Sequence, residues 1–141
     1  MTQNDDIHRI YKQWHETVRN RDLDGTLSLY ADNAILETPL AMAVLEKTNG
    51  ILMGKSEIKL FLEAGIRVFQ NSQAQWYRIG AFFSNGKQLI WEYPRETQQG
   101  EQVDLIEMMD ISEGLIVNHR VYWGWYGVNM LMKLVSKKAD A

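Results

Sequence analysis

The hydrophobic period of this chain changes once, and that change limits the fold more than any other feature. In the first half, apolar residues recur at helical spacing; beyond about residue 70 they alternate two by two. Ile7, Ile10, Tyr11, Trp14 and Val18 form one stripe of a helix over about 5–20, for which Asn4 or Asp5 is the expected cap. Asp22 is placed to cap a second, short helix, with Asp24 near its positive end and Leu27 and Tyr30 on one face. Residues 34–39, AILETP, read as a strand that Pro39 ends. Ile58, Phe61, Leu62, Gly65 and Phe69 stripe a third helix over 55–69. The alternating remainder carries SNGK, QQGE and SEGL at hairpin positions, which makes four strands in an antiparallel meander, followed by a closing turn and short helix. Helices gathered on one face of an antiparallel sheet define an α+β fold. One domain over 1–141 accounts for the length, with frayed ends at about 1–4 and 136–141. Residues 40–54 are apolar but aperiodic, broken by Gly50 and Gly54. They read as a long loop that either completes the core or covers a cavity as a lid.

Composition removes several classes of function. Lys plus Arg number 15 against 18 Asp plus Glu, a net charge of −3, and no basic stripe is present, which argues against nucleic acid as a partner. With no Cys, disulfides, thiolate chemistry and Cys-ligated zinc are excluded. The three His lack metal-ligand spacing, so no metal is expected. The acidic, polar start is not a secretory signal, and no apolar run approaches the roughly 18 residues of a membrane span. A cytoplasmic protein without membrane partners is the expectation. Five Trp favour a ring-lined groove, which would suit a small apolar molecule.

Two polar side chains stand out inside apolar strands: Glu107 and His119, on either side of the Ser112–Gly114 turn. A hairpin pairing Met109 with Val117 sets Glu107 opposite His119 and Leu105 opposite Val121. Those four residues, with Trp123, then share one face. A carboxylate bonded to an imidazole fixes its tautomer and raises its basicity. His119 is then a candidate general base, and Glu107 a candidate acid; a structural polar bridge is the competing reading. On the preceding strand Trp91, Tyr93 and Arg95 alternate onto one face, with Arg95 near a rim where it could hold an anionic group. Trp14 and Tyr30 are core residues or ligand platforms. His8 and His15 lie off the Trp14 stripe and are expected to be solvated.

The order of elements, with RDLDGTLSLYADNAILETP followed by GILMGKSEIKLFLE and a closing YWG, resembles the nuclear-transport-factor-2-like superfamily. It is most similar to the SnoaL-like branch, which includes polyketide cyclases, and to the ketosteroid isomerases, over about residues 10–130. The resemblance implies a curved sheet forming a cone-shaped pocket with the three helices on its concave side, often a dimer, and no cofactor. It places Glu107 and Trp123 toward the cavity. The tyrosine, general base and later aspartic acid of the ketosteroid isomerases fall on Trp14, Thr38 and Glu107. Thr38 cannot be a carboxylate base, so steroid isomerisation by that mechanism is not expected. Three functions fit: an acid–base enzyme of cyclase, isomerase or hydratase type on an apolar carbonyl compound, a ligand-binding protein without turnover, or a dimeric interaction module. Ile106 and Met108 on the outer face suit a homodimer in all three.

Overall fold

The protein is seen in a computed structural model that describes residues 2–68, 75–76, 81–92, 95–96 and 102–140, without the side chains of 68, 75, 76, 95, 96, 102, 103 and 137–140. The chain runs α1 (Gln3–Arg19), α2 (Leu23–Leu27), β1 (Tyr30–Glu37), α3 (Leu40–Val44), β2 (Ile51–Met53), α4 (Lys55–Val68), β3 (Gln75–Trp76), β4 (Phe83–Ser84), β5 (Gln88–Glu92), β6 (Arg95–Glu96), β7 (Gln102–Val103), β8 (Leu105–Ser112), β9 (Leu115–Trp123) and α5 (Trp125–Asp140). A curved, unclosed six-stranded sheet has the order β2-β1-β9-β8-β5-β4. All its pairings are antiparallel except β1 with β9, which joins the first strand of the chain to the last. β3, β6 and β7 pair in a second ladder. The β5–β8 register, Glu92 opposite Ile106, continues without a slip into Arg95 opposite Val103 on β6 and β7.

Helix α1 carries the stripe its spacing predicts, with Ile7, Ile10 and Trp14 buried and Tyr11 and Val18 partly so. Its cap is Thr2, further out than Asn4 or Asp5. The Asp5 amide donates to Thr2 Oγ1 (3.3 Å) while the Thr2 amide donates back to Asp5 Oδ2 (3.0 Å). Such a reciprocal box satisfies two of the four amides that every helix start leaves open. Asp22 caps α2 as expected, accepting the Gly25 amide at 2.9 Å. Helix α4 buries Ile58 and Ala64 and half-buries Phe61 and Leu62, while Phe69 lies outside the described residues, as does the QQGE turn.

Three elements differ from the sequence reading. The 40–54 stretch is not one long loop: it holds helix α3 and edge strand β2, whose Ile51, Leu52 and Met53 pair with Glu37, Leu36 and Ile35. Alternation is invisible in a three-residue strand, which is why it escaped. β1 starts at Tyr30 rather than about residue 34. The terminal helices reach Gln3 and Asp140, into the ends expected to fray, and α5 is not short.

The β8–β9 hairpin decides which side chains face the helices. Glu113 and Gly114 form its turn, with φ of 51° and 74°, and Ser112 pairs with Leu115 and Ile111 with Ile116. Positive φ at both central positions is the I′ pattern that matches strand twist. Carried on unbroken, that register would place Glu107 beside Arg120. Instead Asp110 pairs with Asn118, so Val117 is an extra residue, a β-bulge. The bulge moves His119 to the inner face, opposite Met109, and Arg120 to the outer face, opposite Met108. The direct pairing of Glu107 with His119 is therefore corrected: Glu107 stands opposite Val121, and the two polar residues are diagonal neighbours on one face. On the outer face Arg120 reaches Asp110 through both terminal nitrogens (2.9 and 3.1 Å), and Gln88 donates to the same carboxylate (2.9 Å).

Glu113 holds a left-handed conformation that costs a side chain with a Cβ roughly 1–2 kcal/mol and that Asn tolerates better. Glu113→Asn should therefore stabilise the fold by about 0.5–1 kcal/mol, a rise of a few degrees in Tm by thermal melting. An unchanged or lower Tm would contradict the turn assignment.

Candidate functional site

The site grows from four strands. On the inner face of the sheet, Leu36, His119, Met109 and Leu89 form one row across β1, β9, β8 and β5, and Val121, Glu107 and Trp91 form the next. Leu105 and Trp123 pair in the row beyond. Glu107 is 4% exposed and His119 2%. A charged group this deep needs a partner, since desolvation without one costs several kcal/mol. Diagonal neighbours on a sheet lie within reach of long side chains, and His119 Nε2 stands 2.8 Å from Glu107 Oε2.

The other imidazole nitrogen is engaged too. Tyr30 Oη lies 2.7 Å from His119 Nδ1, and the two rings stack with centroids 6.0 Å apart. Burial pushes the Tyr30 phenol above the usual tyrosine range, against a lowering hydrogen bond from the Trp14 side chain. Tyr30 therefore keeps its proton. Donor inventory then orients the chain. The Trp14 indole can only donate, so it gives its N–H to Tyr30 Oη. The phenol donates to Nδ1, and Nε2–H donates to Glu107 Oε2. Trp14, Tyr30, His119 and Glu107 thus form one directed chain linking α1, β1, β9 and β8. Among the described residues only His119 donates to the Glu107 carboxylate.

His15 corrects the expectation of a solvated residue: it is 7% exposed, whereas His8 is on the surface. Its Nδ1–H donates to the Tyr11 carbonyl at 2.8 Å. Its ring lies 4.4 Å from Tyr11, 5.4 Å from Trp14 and 5.3 Å from Trp91, centroid to centroid. The signal was present in the sequence, since Tyr11, Trp14, His15 and Val18 have the spacing of a full apolar helix face. Burial holds the His15 pKa below 6.5, outweighing the Tyr11 carbonyl and the Glu107 charge, which both raise it.

Of the other candidates, Trp91 is 1% exposed and stands directly opposite Glu107. Thr38 is buried, and Trp123 Nε1–H donates to its Oγ1 at 3.4 Å. The expected pairing of Leu105 with Val121 is corrected as well: Leu105 stands opposite Trp123, and Val121 opposite Glu107. Tyr93 lies outside the described residues, and of Arg95 only the backbone, paired with Val103, is described. Among the described residues no cluster of three or more His, Cys, Asp or Glu is placed to hold a metal ion. No helix there is long and apolar enough to cross a membrane.

A curved, open antiparallel sheet with helices across one side is the nuclear-transport-factor-2-like fold, and this chain adopts it. Its structural neighbours are SnoaL-like and NTF2-like proteins. TerC, co-crystallised with polyporic acid, matches with a TM-score of 0.70 at 16% identity, over 91% of this chain and 98% of its own. An NTF2-like protein of unknown function from Burkholderia pseudomallei gives 0.69 at 17% identity, over 92% and 97%. A SnoaL-like protein of unknown function from Burkholderia thailandensis gives 0.67 at 17%, over 84% and 94%. No protein-family model and no curated protein matches the chain.

The lowered His15 pKa has a definite sign. An unfolded chain binds this proton more readily than the folded one, so the contribution of His15 to stability is present above pH 6.5 and lost as pH falls below it. His15→Asn retains a donor for the Tyr11 carbonyl but does not titrate. Between pH 7 and 5 the Tm of the wild-type protein should fall more steeply than that of this variant; parallel curves would rule out the assignment.

Proposed function

We propose that this chain is a small-molecule pocket protein working as an acid–base enzyme, of isomerase, cyclase or hydratase type, on an apolar carbonyl-bearing compound. Glu107 exchanges the proton and His119 positions it. One observation carries this reading. Both nitrogens of His119 are engaged, at 2.7 and 2.8 Å, while only one oxygen of Glu107 accepts from the described residues. A substrate proton reaching Nδ1 or Nε2 would have to displace Tyr30 or Glu107, whereas Glu107 Oε1 can take it without breaking the chain. Directed donation toward Oε2 holds the carboxylate still and leaves its second oxygen to do chemistry. Co-crystallisation of the neighbour TerC with polyporic acid adds support for a small organic ligand in this fold.

The test is proton exchange from the α-carbon of 1-tetralone, an apolar aryl ketone, followed by NMR in D2O. Wild-type protein should accelerate exchange above buffer. Glu107→Gln keeps the shape and removes the base, so it should lower the rate by about 10²–10⁴-fold. His119→Ala should cost less, because it loosens the base without removing it. Equal, negligible effects of both substitutions in a protein that still exchanges protons would refute the assignment, and no acceleration at all would refute the enzymatic reading.

We further propose a homodimer through the outer sheet face. Ile106 (45% exposed) and Tyr122 (55%) lie opposite each other there, flanked by Met108. Such an apolar sheet face favours a second copy with the same patch. Light scattering at micromolar concentration should give twice the chain mass for the wild-type protein and one chain mass for Ile106→Lys. A wild-type monomer would exclude the dimer.

A further inference from the structure

One buried donor takes no part in the hydrogen-bonded chain. Trp91 is 1% exposed, and its Nε1–H is fully enclosed without a hydrogen-bond partner. Leaving a buried N–H unmade costs roughly 1–3 kcal/mol, so such groups call for an explanation. Its surroundings are specific. Trp91 pairs directly with Glu107 across the β5–β8 ladder, on the inner face. Its ring is fixed by edge contacts with Tyr11 (5.5 Å, 90°) and Trp14 (5.3 Å, 64°) and a tilted one with His15 (5.3 Å, 51°), all from α1. A rigid donor therefore sits next to a carboxylate, with cross-strand Cβ atoms about 5 Å apart.

We propose that the Trp91 indole N–H is the donor that receives the carbonyl oxygen of the ligand, making Trp91 the residue that selects carbonyl compounds over hydrocarbons of the same shape. This rests on the reading of Glu107 as the proton-exchanging group. Glu107 Oε1 takes the α-proton. The C–H electron pair becomes a carbon–carbon double bond, and the carbonyl π pair moves onto oxygen, where the Trp91 N–H holds the developing charge. In D2O the proton on Oε1 is replaced by solvent deuterium, and delivery of that deuterium from Oε1 to carbon regenerates the carboxylate and the ketone. Solvent is the only other reactant. The donor is aligned before the ligand arrives, so no reorganisation accompanies the charge, and the energy lost on leaving it unmade is recovered when the oxygen binds.

The experiment uses the full chain labelled with 15N in its five Trp indoles, with the Trp91 cross-peak identified by its absence in Trp91→Phe. Adding 1-tetralone should move the Trp91 Nε1–H proton downfield, as a new hydrogen bond requires. Tetralin, which has the same rings without the oxygen, should not. Trp91→Phe should lower tetralone exchange by about 10²–10³-fold, the usual loss for one such donor. If tetralone exchanges its protons while Trp91 stays still, or exchanges them while tetralin moves Trp91 equally, the Trp91 role is overturned and the Glu107 reading stands. If tetralone neither shifts any peak nor exchanges, both fall.

Discussion

Burying a carboxylate constrains everything around it. At 4% exposure Glu107 must be answered by a donor on the same face, and His119 answers it at 2.8 Å only because Val117 bulges out of the β8–β9 ladder. Without that residue, Arg120 would turn inward and His119 outward. The imidazole in turn has a second nitrogen to satisfy, which brings in the Tyr30 phenol from β1, and the phenol brings in Trp14 from α1. Docking of the first helix, the parallel pairing of β1 with β9 and the bulge thus serve one buried charge. Removing one partner of such a pair typically costs about 3–5 kcal/mol, because the other is left charged and dry.

Much of the fold was legible because it follows from periods. Ile7, Ile10 and Trp14, Asp22 as a cap, the α4 stripe and the order of strands all came from spacing and turn residues. What escaped lacks a period. β2 has three residues, too few to alternate. A bulge leaves no mark in composition: Val117 looks like any strand residue, and only the buried state of both Glu107 and His119 requires it. The two residues were legible as a pair by chemistry, and their pairing as opposite neighbours was wrong because the register centred the turn on Glu113, rather than between Glu113 and Gly114, and had no bulge at Val117. Thr2 was passed over for Asn4 and Asp5, since three good caps within four residues differ only in where the box closes. Tyr30 was recognised as half core and half polar, yet its partner lies 89 residues away, beyond any local pattern.

The same network separates what the fold dictates from what the site adds. Neighbours at 16–17% identity share the backbone arrangement, which carries little about chemistry. At the position of the ketosteroid isomerase base this chain has Thr38, tied to Trp123. Under the proposed function, proton chemistry starts from the β8–β9 side of the sheet, where Glu107 lies, rather than from the end of β1. That moves the reacting group toward β5 and its Trp91, and away from the edge formed by β2.

Stability alone does not account for this arrangement. Apolar side chains of the same volume would fill the row between Val121 and Trp91 without desolvating a carboxylate, and such replacements are often neutral or stabilising. The row around it is already apolar: Leu36, Met109 and Leu89 sit beside His119, and all three are buried. A polar chain through that core, every donor in it pointing the same way and ending on one carboxylate oxygen, is a costly way to hold two strands together. Under the proposed function it holds one carboxylate still with an oxygen that accepts from no other described residue, and the only enclosed tryptophan N–H left unbonded among the described residues lies on the strand beside it.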